Sequence, residues 1–256
     1  MKPFVDPKSL TVLVTGATSG FGAAACRRFA GAGAKVIATG RRKERLAALK
    51  KELGARCCTL NFDVTDRKAT EKALSSVPKE FAKINVLVAN AGLALGLGPA
   101  HEANMDDWET MVATNINGLL YTVRAVLPGM VARDEGHVVL IGSTASDFPY
   151  PGGNTYGATK AFVKQFGLNL RADLLGSNVR VTDIEPGLCE TEFSLVRFHG
   201  DAEKAAQPYK GLEPLSAEDV AETIFWSTTL PRHVNINRLQ MMPVMQSFGP
   251  FAFKRK

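Results

Sequence analysis

Leu10-Thr11-Val12-Leu13-Val14-Thr15 runs directly into Gly16-Ala17-Thr18-Ser19-Gly20-Phe21-Gly22, and this junction decides the fold. The first six residues form a short β-branched run without polar alternation, the pattern of a strand covered on both faces in a parallel sheet. Three glycines follow in the spacing G-x3-G-x-G, and a helical stretch rich in small residues continues to Ala32. Strand, glycine turn and helix in that order make a phosphate cradle. Glycine lets the backbone turn tightly and come close to a ligand, and the helix start offers unpaired N–H groups with positive dipole character. The competing reading is a glycine-rich turn that holds nothing; the strand before it and the helix after it favour the cradle.

The same alternation repeats outward. Strands are expected at Lys35–Gly40, Cys57–Phe62, Val86–Ala89, His137–Ile141, Arg180–Glu185 and Leu239–Val244, which with the first makes seven. Helices are expected between them, including Lys43–Leu53, Asp106–Val131, Thr155–Leu175 and Ala217–Ser227 with Ser216 as N-cap. The fold class is therefore α/β, one doubly wound parallel sheet flanked by helices on both faces, in a single domain over residues 1–256. In such sheets ligands bind at the carboxyl ends of the strands. The second strand ends in Gly40-Arg41-Arg42, with no carboxylate before Glu44. Guanidinium forks suit a ribose 2′-phosphate, where a carboxylate would repel it, so this end points to NADP rather than NAD. Otherwise Arg41 and Arg42 merely begin a solvated helix. Asp63 either caps the next helix or bonds an adenine amino group, and its position favours the latter. Asn90-Ala91-Gly92 closes the fourth strand beside the expected crevice.

Ser143 follows the fifth strand, and Tyr156-Gly157-Ala158-Thr159-Lys160 opens the long helix after it. Tyr156 and Lys160 lie one turn apart on one face. A phenol titrates at about 10, and a nearby ammonium is expected to lower it so that it exchanges protons with an alcohol or carbonyl oxygen. Ser143 would hold the same oxygen. YxxxK alone is also a common surface pair. Thr114-Asn115-Ile116-Asn117-Gly118 interrupts its helix, because asparagine competes for backbone groups; it marks either a kink that frees a carbonyl for water or a local irregularity. Leu93–Ala103 either lines the pocket or connects. Pro186-Gly187 breaks the sixth strand, and Leu188 and Thr191 follow; a Thr191 hydroxyl could reach a nicotinamide carboxamide. Glu192–Leu215 has no clear apolar period and reads as a mobile segment over the site, within a substrate-covering stretch taken as 188–215. Within it, Arg197 is a candidate for a substrate carboxylate, with a solvent-facing arginine the favoured alternative.

The 45% hydrophobic and 22% charged content is that of a folded globular chain. A net charge of +6 is spread out, and the chain carries no zinc-finger or RNA-binding spacing, so nucleic acid is not expected as a partner. Cys26, Cys57, Cys58 and Cys189 form no C-x-x-C, and the four histidines are far apart; free thiols and no metal are expected. The opening Met1-Lys2-Pro3-Phe4 has no apolar run behind it and no stretch reaches membrane-spanning length, so the expected setting is cytoplasmic.

Taken in order, the glycine loop, Asn-Ala-Gly, Asn115, Ser143, Tyr-x-x-x-Lys, Pro-Gly and Thr191 resemble the short-chain dehydrogenase/reductase family along nearly the whole chain. The resemblance implies a Rossmann-type fold and cofactor contacts from Gly16, Ala17, Thr18, Ser19, Gly20, Phe21, Gly22, Arg41, Arg42, Asp63, Val64, Asn90, Ala91, Gly92, Pro186, Gly187, Leu188 and Thr191. It implies Tyr156 as proton donor or acceptor, Lys160 as its activator and a ligand of the nicotinamide ribose, Ser143 as holder of the substrate oxygen, and Asn115 as organiser of a proton-relay water. Val36-Ile37-Ala38-Thr39-Gly40-Arg41-Arg42, Tyr156–Phe162, Ile184-Glu185-Pro186-Gly187-Leu188 and His233-Val234-Asn235-Ile236-Asn237 are similar to NADP-dependent 3-hydroxy acid dehydrogenases, a group also described as malonic semialdehyde reductases, serine 3-dehydrogenases or L-allo-threonine dehydrogenases. That group implies a small hydroxy or oxo acid substrate and a homotetramer. Leu188-Cys189-Glu190-Thr191 is one residue shorter than the group's loop, which bears on substrate preference. A ketone reductase of the same fold and a non-catalytic NADP-binding regulator are the alternatives; the second would expect a damaged Ser-Tyr-Lys set.

Overall fold

The first strand becomes the middle of a seven-stranded sheet. In the computed structural model, which describes residues 3–248, β1 (Thr11–Val14) pairs with β2 (Lys35–Gly40) on one side and with β4 (Val86–Ala89) on the other. β3 (Cys57–Asn61) extends the first side; β5 (Gly136–Ile141), β6 (Val179–Pro186) and β7 (Arg238–Met241) extend the second. The order is β3-β2-β1-β4-β5-β6-β7 and every described pair is parallel. The chain changes direction across the sheet between β1 and β4, so the switch-point crevice opens at their carboxyl ends. Asn90 fastens those ends: its Nδ2 donates to the Thr15 carbonyl at 2.8 Å, and the Asn90 and Ala91 amides donate to Thr15 Oγ1 at 3.0 and 2.9 Å.

The inner strands β1, β2, β4, β5 and β6 bury both faces, as expected for parallel strands under two helical layers, while the edge strands β3 and β7 stay partly open. Val12 and Val14 join Phe29, Val36, Val220 and Ile224 in one core, while Leu13 joins Ile37, Leu87, Leu140, Val123 and Val163 in the other. The first layer comprises α1 (Gly20–Gly31) and α2 (Lys43–Leu53), and α9 (Ala217–Thr229) packs on α1. The second includes α3 (Arg67–Ser75), α4 (Met105–Val112), α5 (Leu119–Ala132) and α6 (Asn154–Asp173). Fully burying one such aliphatic or aromatic side chain is worth about 1.5–3 kcal/mol, so the two cores hold the sheet edge that presents the site.

Local chemistry settles the element ends. Ser216 caps α9 in a capping box with Asp219, as the sequence suggested. Asp66, not Asp63, caps α3, accepting from the Ala69 amide. The helix expected over Asp106–Val131 is broken by a π-helical turn, Ala113–Gly118. A side chain at Gly118 would lie 2.7 Å from Val64 Cγ2, and the Asn115 amide bonds across to another segment instead of its own backbone. β7 stops at Met241 rather than Val244 because Pro243 has no N–H to pair. The segment 188–215, read as irregular, folds into α7 (Glu192–Arg197), α8 (Ala202–Ala206) and a short 3-10 turn, with Cys189 and Leu215 bridged at its base. The basic tail beyond Phe248 lies outside the described residues.

Candidate active site

A cleft of about 320 Å³ lies over the β1–β4 switch point. One wall is the glycine turn. Gly16 has φ +67°, a left-handed conformation that favours glycine, and a Cβ on Gly22 would come within 2.7 Å of Asn90 Nδ2 and closer still to the Gly16 carbonyl oxygen. At Gly16 and Gly22 the turn has no space for side chains and is a bare backbone cradle, which fits a pyrophosphate at the start of α1. Thr18, Ser19, Gly20 and Phe21 line it; Ala17 is fully buried behind it, its amide bonded to the Thr39 carbonyl at 2.8 Å.

Guanidinium groups crowd the far end. Arg42 donates through Nε to Thr18 Oγ1 at 2.9 Å, through Nη2 to Ser19 Oγ at 2.6 Å and through Nη1 to Glu192 Oε2 at 2.9 Å. Arg45 adds Nη1 to both Glu192 oxygens at 2.6 and 2.8 Å. Burial opposes ionisation of Glu192, but the Arg42 and Arg45 bonds hold its carboxyl below the usual range. Arg41 contacts Asp63 at 3.3 Å. The Asp63 carboxyl is also held below its usual value: burial works against it, and bonds from the Thr65 amide and hydroxyl outweigh that. Asp63 and Val64 line the cleft, as do Asn90, Ala91 and Gly92.

The opposite end brings Ser143, Tyr156 and Lys160 into the same cleft. Ser143 is buried just past the end of β5, its Oγ accepts from the Ala145 amide at 3.1 Å, and its hydroxyl favours the ionised form of the Tyr156 phenol. Lys160 is buried, and its Nζ donates to the Ile141 carbonyl at 2.7 Å and lies 5.8 Å from the Tyr156 ring centroid. Burial pushes the Lys160 ammonium down to about 8, with the Asp183 carboxylate partly opposing. The expected lowering of Tyr156 does not occur. Burial pushes its phenol above the ordinary value, and the groups that pull the other way are Ser143 and the Arg197 guanidinium. Phe193 packs edge-on against the ring at 5.5 Å. Asn115 is nearly fully buried and spends its amide on neighbours: Oδ1 accepts from the Leu93 amide at 2.9 Å, and Nδ2 donates to the Leu93 carbonyl at 2.8 Å and Thr159 Oγ1 at 3.0 Å. The loop Leu93–Ala103 therefore contributes Leu93 to the cleft wall.

Pro186, Gly187 and Thr191 line the cleft; the Leu188 amide bonds Gln246 Oε1 at 2.7 Å outside it. Thr191 Oγ1 accepts from the Phe193 amide at 3.2 Å, capping α7, and its side chain faces Gly20.

The sequence matches a known family model, described as short chain dehydrogenase, over residues 10–200. The chain belongs to the short-chain dehydrogenase family. Within it, the chain is 60% identical over 247 residues to an NADP-dependent 3-hydroxy acid dehydrogenase of Salmonella typhi, covering 96% of this chain and all of that one. It is 54% identical over 246 residues to a serine 3-dehydrogenase of Agrobacterium fabrum, covering 96% and 98%. Among solved structures it resembles the closed form of a serine dehydrogenase complexed with NADP+, with TM-score 0.94 and 59% identity over 96% of this chain and 99% of that chain. The serine dehydrogenase of Escherichia coli gives TM-score 0.83 and 56% identity, covering 93% and 99%.

Contributors to this short-chain dehydrogenase site that the sequence did not single out include Arg45, Glu192, Phe193 and Val196, and Phe62, Thr114, Gly142 and Cys189 also line the cleft. Arg45 lies one turn after Arg42, so the i,i+3 spacing was an available signal. Glu192, Phe193 and Val196 come from the covering segment, where no periodicity placed them. Arg197 is not solvent-facing: its Cζ lies 5.0 Å from the Tyr156 ring centroid, and its carbonyl accepts from the Gly96 amide at 2.9 Å.

Proposed function

We propose that the protein is an NADP-dependent oxidoreductase that interconverts a small 3-hydroxy acid and its 3-oxo acid or semialdehyde. The observation that carries the reading is one cleft with a Ser143-Tyr156-Lys160 set at one end and an arginine cluster at the other. The relatives' dehydrogenase activities and their use of NADP agree with it. The α1 N-terminus would take the pyrophosphate and Arg41, Arg42 and Arg45 the 2′-phosphate, with Asp63 and Val64 toward the adenine. Thr191 and Lys160 would take the nicotinamide end. NADP(H), when bound, supplies or accepts the hydride.

In reduction, the Tyr156 O–H gives its proton to the nascent alkoxide oxygen while the Ser143 O–H donates a hydrogen bond to the same atom. In oxidation, the phenolate takes that proton back. Lys160, fixed by the Ile141 carbonyl, keeps a positive charge beneath the ring. Asn115 acts by position: its amide ties the Leu93 loop to α6 and holds the π-turn open, leaving any relay water to backbone groups. Segment 188–215 covers the substrate, and the Glu192 tie to Arg42 and Arg45 latches it to the phosphate end.

We read the protein as cytoplasmic and homotetrameric. Free cysteines suit a reducing compartment, and no described helix is long and apolar enough to cross a membrane. Val112, Val131 and Leu168 on α4, α5 and α6, with Val244 and Met245 beyond β7, leave exposed apolar surface for other copies. The functional test is NADP(H)-linked turnover of serine, allo-threonine, 3-hydroxypropionate, 3-hydroxyisobutyrate and neutral ketones. Turnover confined to neutral ketones would favour the carbonyl-reductase alternative; NADPH binding without any turnover would favour a regulator.

A further inference from the structure

Arg197 sits at the end of α7 with most of its hydrogen-bonding capacity unused. A guanidinium carries five N–H donors. Here Nη2 donates to the Tyr150 hydroxyl at 2.7 Å, while Nε is buried without a partner. Among the described residues Arg197 forms no ion pair, unlike Arg42 and Arg45. Leaving a buried charged donor unsatisfied is costly, so the site favours an anion. Its surroundings are aromatic: Cζ lies 5.0 Å from the Tyr156 ring centroid, 5.2 Å from Phe193 and 5.8 Å from Tyr150. Tyr156 and Phe193 both line the cleft.

We infer that Arg197, with Tyr150 beside it, is the anchor for the substrate carboxylate. The inference rests on the 3-hydroxy acid reading above and names the group that recognises the acid. Tyr150 accepts from Arg197, so its own O–H stays free to donate to a carboxylate oxygen. The phenol keeps that proton, because burial raises its pKa more than the Arg197 charge lowers it. The spacing also selects the position of the reacting carbon. In a 3-hydroxy acid the carboxyl carbon lies about 2.5 Å from the carbon that bears the oxygen, one methylene away. A guanidinium packed against the Tyr156 ring places the carboxylate next to the carbon whose oxygen meets Tyr156 and Ser143. An acid with its hydroxyl several carbons further out would be misplaced. Because Arg197 rides on segment 188–215 and is tied to the Gly96 loop, substrate charge and closure of the cover are one event.

The test compares 3-hydroxypropionate with its neutral amide, 3-hydroxypropanamide, in wild type, Arg197→Gln, Arg197→Lys and Tyr150→Phe. Charge-assisted forked bonds predict that Arg197→Gln raises KM for the acid about 10- to 100-fold and for the amide less than about threefold. Malonate inhibition weakens in parallel, and NADPH binding by fluorescence titration stays unchanged. Arg197→Lys keeps the charge but loses the fork and falls between; Tyr150→Phe moves the acid the same way by less, and carries the test if Arg197→Gln fails to fold. An unchanged acid-to-amide ratio overturns the anchor, as does a loss confined to NADPH affinity. A wild-type protein that converts neutral alcohols and no 3-hydroxy acid sinks the reading of function instead.

Discussion

Arg42 is the residue whose replacement tests the cofactor reading most directly. Its guanidinium meets Thr18, Ser19 and Glu192, and its side chain is 41% exposed. Around it stand Arg41 and Arg45 against Glu192 and Asp63, a formal balance of three positive and two negative charges, +1 in sum. Arg42→Gln brings that balance to zero beside a 2′-phosphate dianion. One unit pair at 4 Å is worth about 1 kcal/mol in bulk water and about 4 kcal/mol near a protein surface. The exposure argues for the lower half of that range, about 1–2 kcal/mol, or about 5- to 30-fold. The expected result is a fall of that size in kcat/KM for NADPH, with NADH changed by less than about threefold because it lacks the phosphate. Salt sharpens the assay: raising ionic strength to about 0.5 M should shrink the wild-type preference and leave the variant nearly flat. A variant whose NADPH-to-NADH ratio equals that of the wild type would refute the assignment, and Arg42 would then serve the Glu192 tie alone.

Tyr156→Phe should lower kcat about 10²- to 10⁴-fold with little change in NADPH affinity, since it removes the proton donor alone; near-normal turnover would dismiss Tyr156 from the chemistry. Asn115→Ala removes three hydrogen bonds to Leu93 and Thr159. At about 0.5–1.5 kcal/mol each, urea unfolding should show a loss of about 1.5–4.5 kcal/mol, and an unchanged midpoint would contradict the tie. The pH profile follows from Lys160, whose ammonium is lowered to about 8. Below that value the lysine keeps its charge under Tyr156 and above it the charge is lost, so kcat/KM for reduction should decline on the alkaline side. That parameter reports the free protein, so a profile flat across the Lys160 titration would detach the lysine from catalysis.

Much of the fold was legible because it depends on patterns the chain repeats. Apolar runs such as Val86-Leu87-Val88-Ala89 have no polar alternation, and both their faces are buried, as two-sided covering requires. The site was legible where a motif sits at a strand end, because the parallel sheet brings all carboxyl ends to one edge. Gly16, Asn90 and Ser143 meet for that reason alone. The illegible parts are those set by tertiary contact. Asn115 signalled a break in its helix, but not that the break is a π-turn or that its amide is spent on Leu93. Glu192 and Arg197 lie in a segment whose shape comes from pairing with Arg42, Arg45, Tyr150 and Gly96, none of them near in sequence. Asp63 and Asp66 illustrate the limit of local rules: both precede α3, and only the observed bond to Ala69 tells which one caps it.

The sequence reading had Lys160 tuning Tyr156, and the structure shifts that role. With Lys160 buried and Tyr156 packed under Phe193, desolvation disfavours the charged form of each: it raises the phenol and lowers the ammonium. A lysine whose ammonium is lowered to about 8 supplies positive potential only below that pH. The cation that favours the phenolate stands on the other side of the ring, on α7. Proton exchange at Tyr156 is then coupled to the position of segment 188–215. With the segment in place, the phenol gains a fixed positive neighbour; with it withdrawn, burial by Phe193 and the charge of Arg197 would leave together. A substrate carboxylate on Arg197 would neutralise part of that charge and push the phenol further toward its protonated form, the form that donates in reduction. The same contact that recognises an acid would thereby keep the donor form of the tyrosine populated while making it hold that proton more tightly and making its phenolate the stronger base.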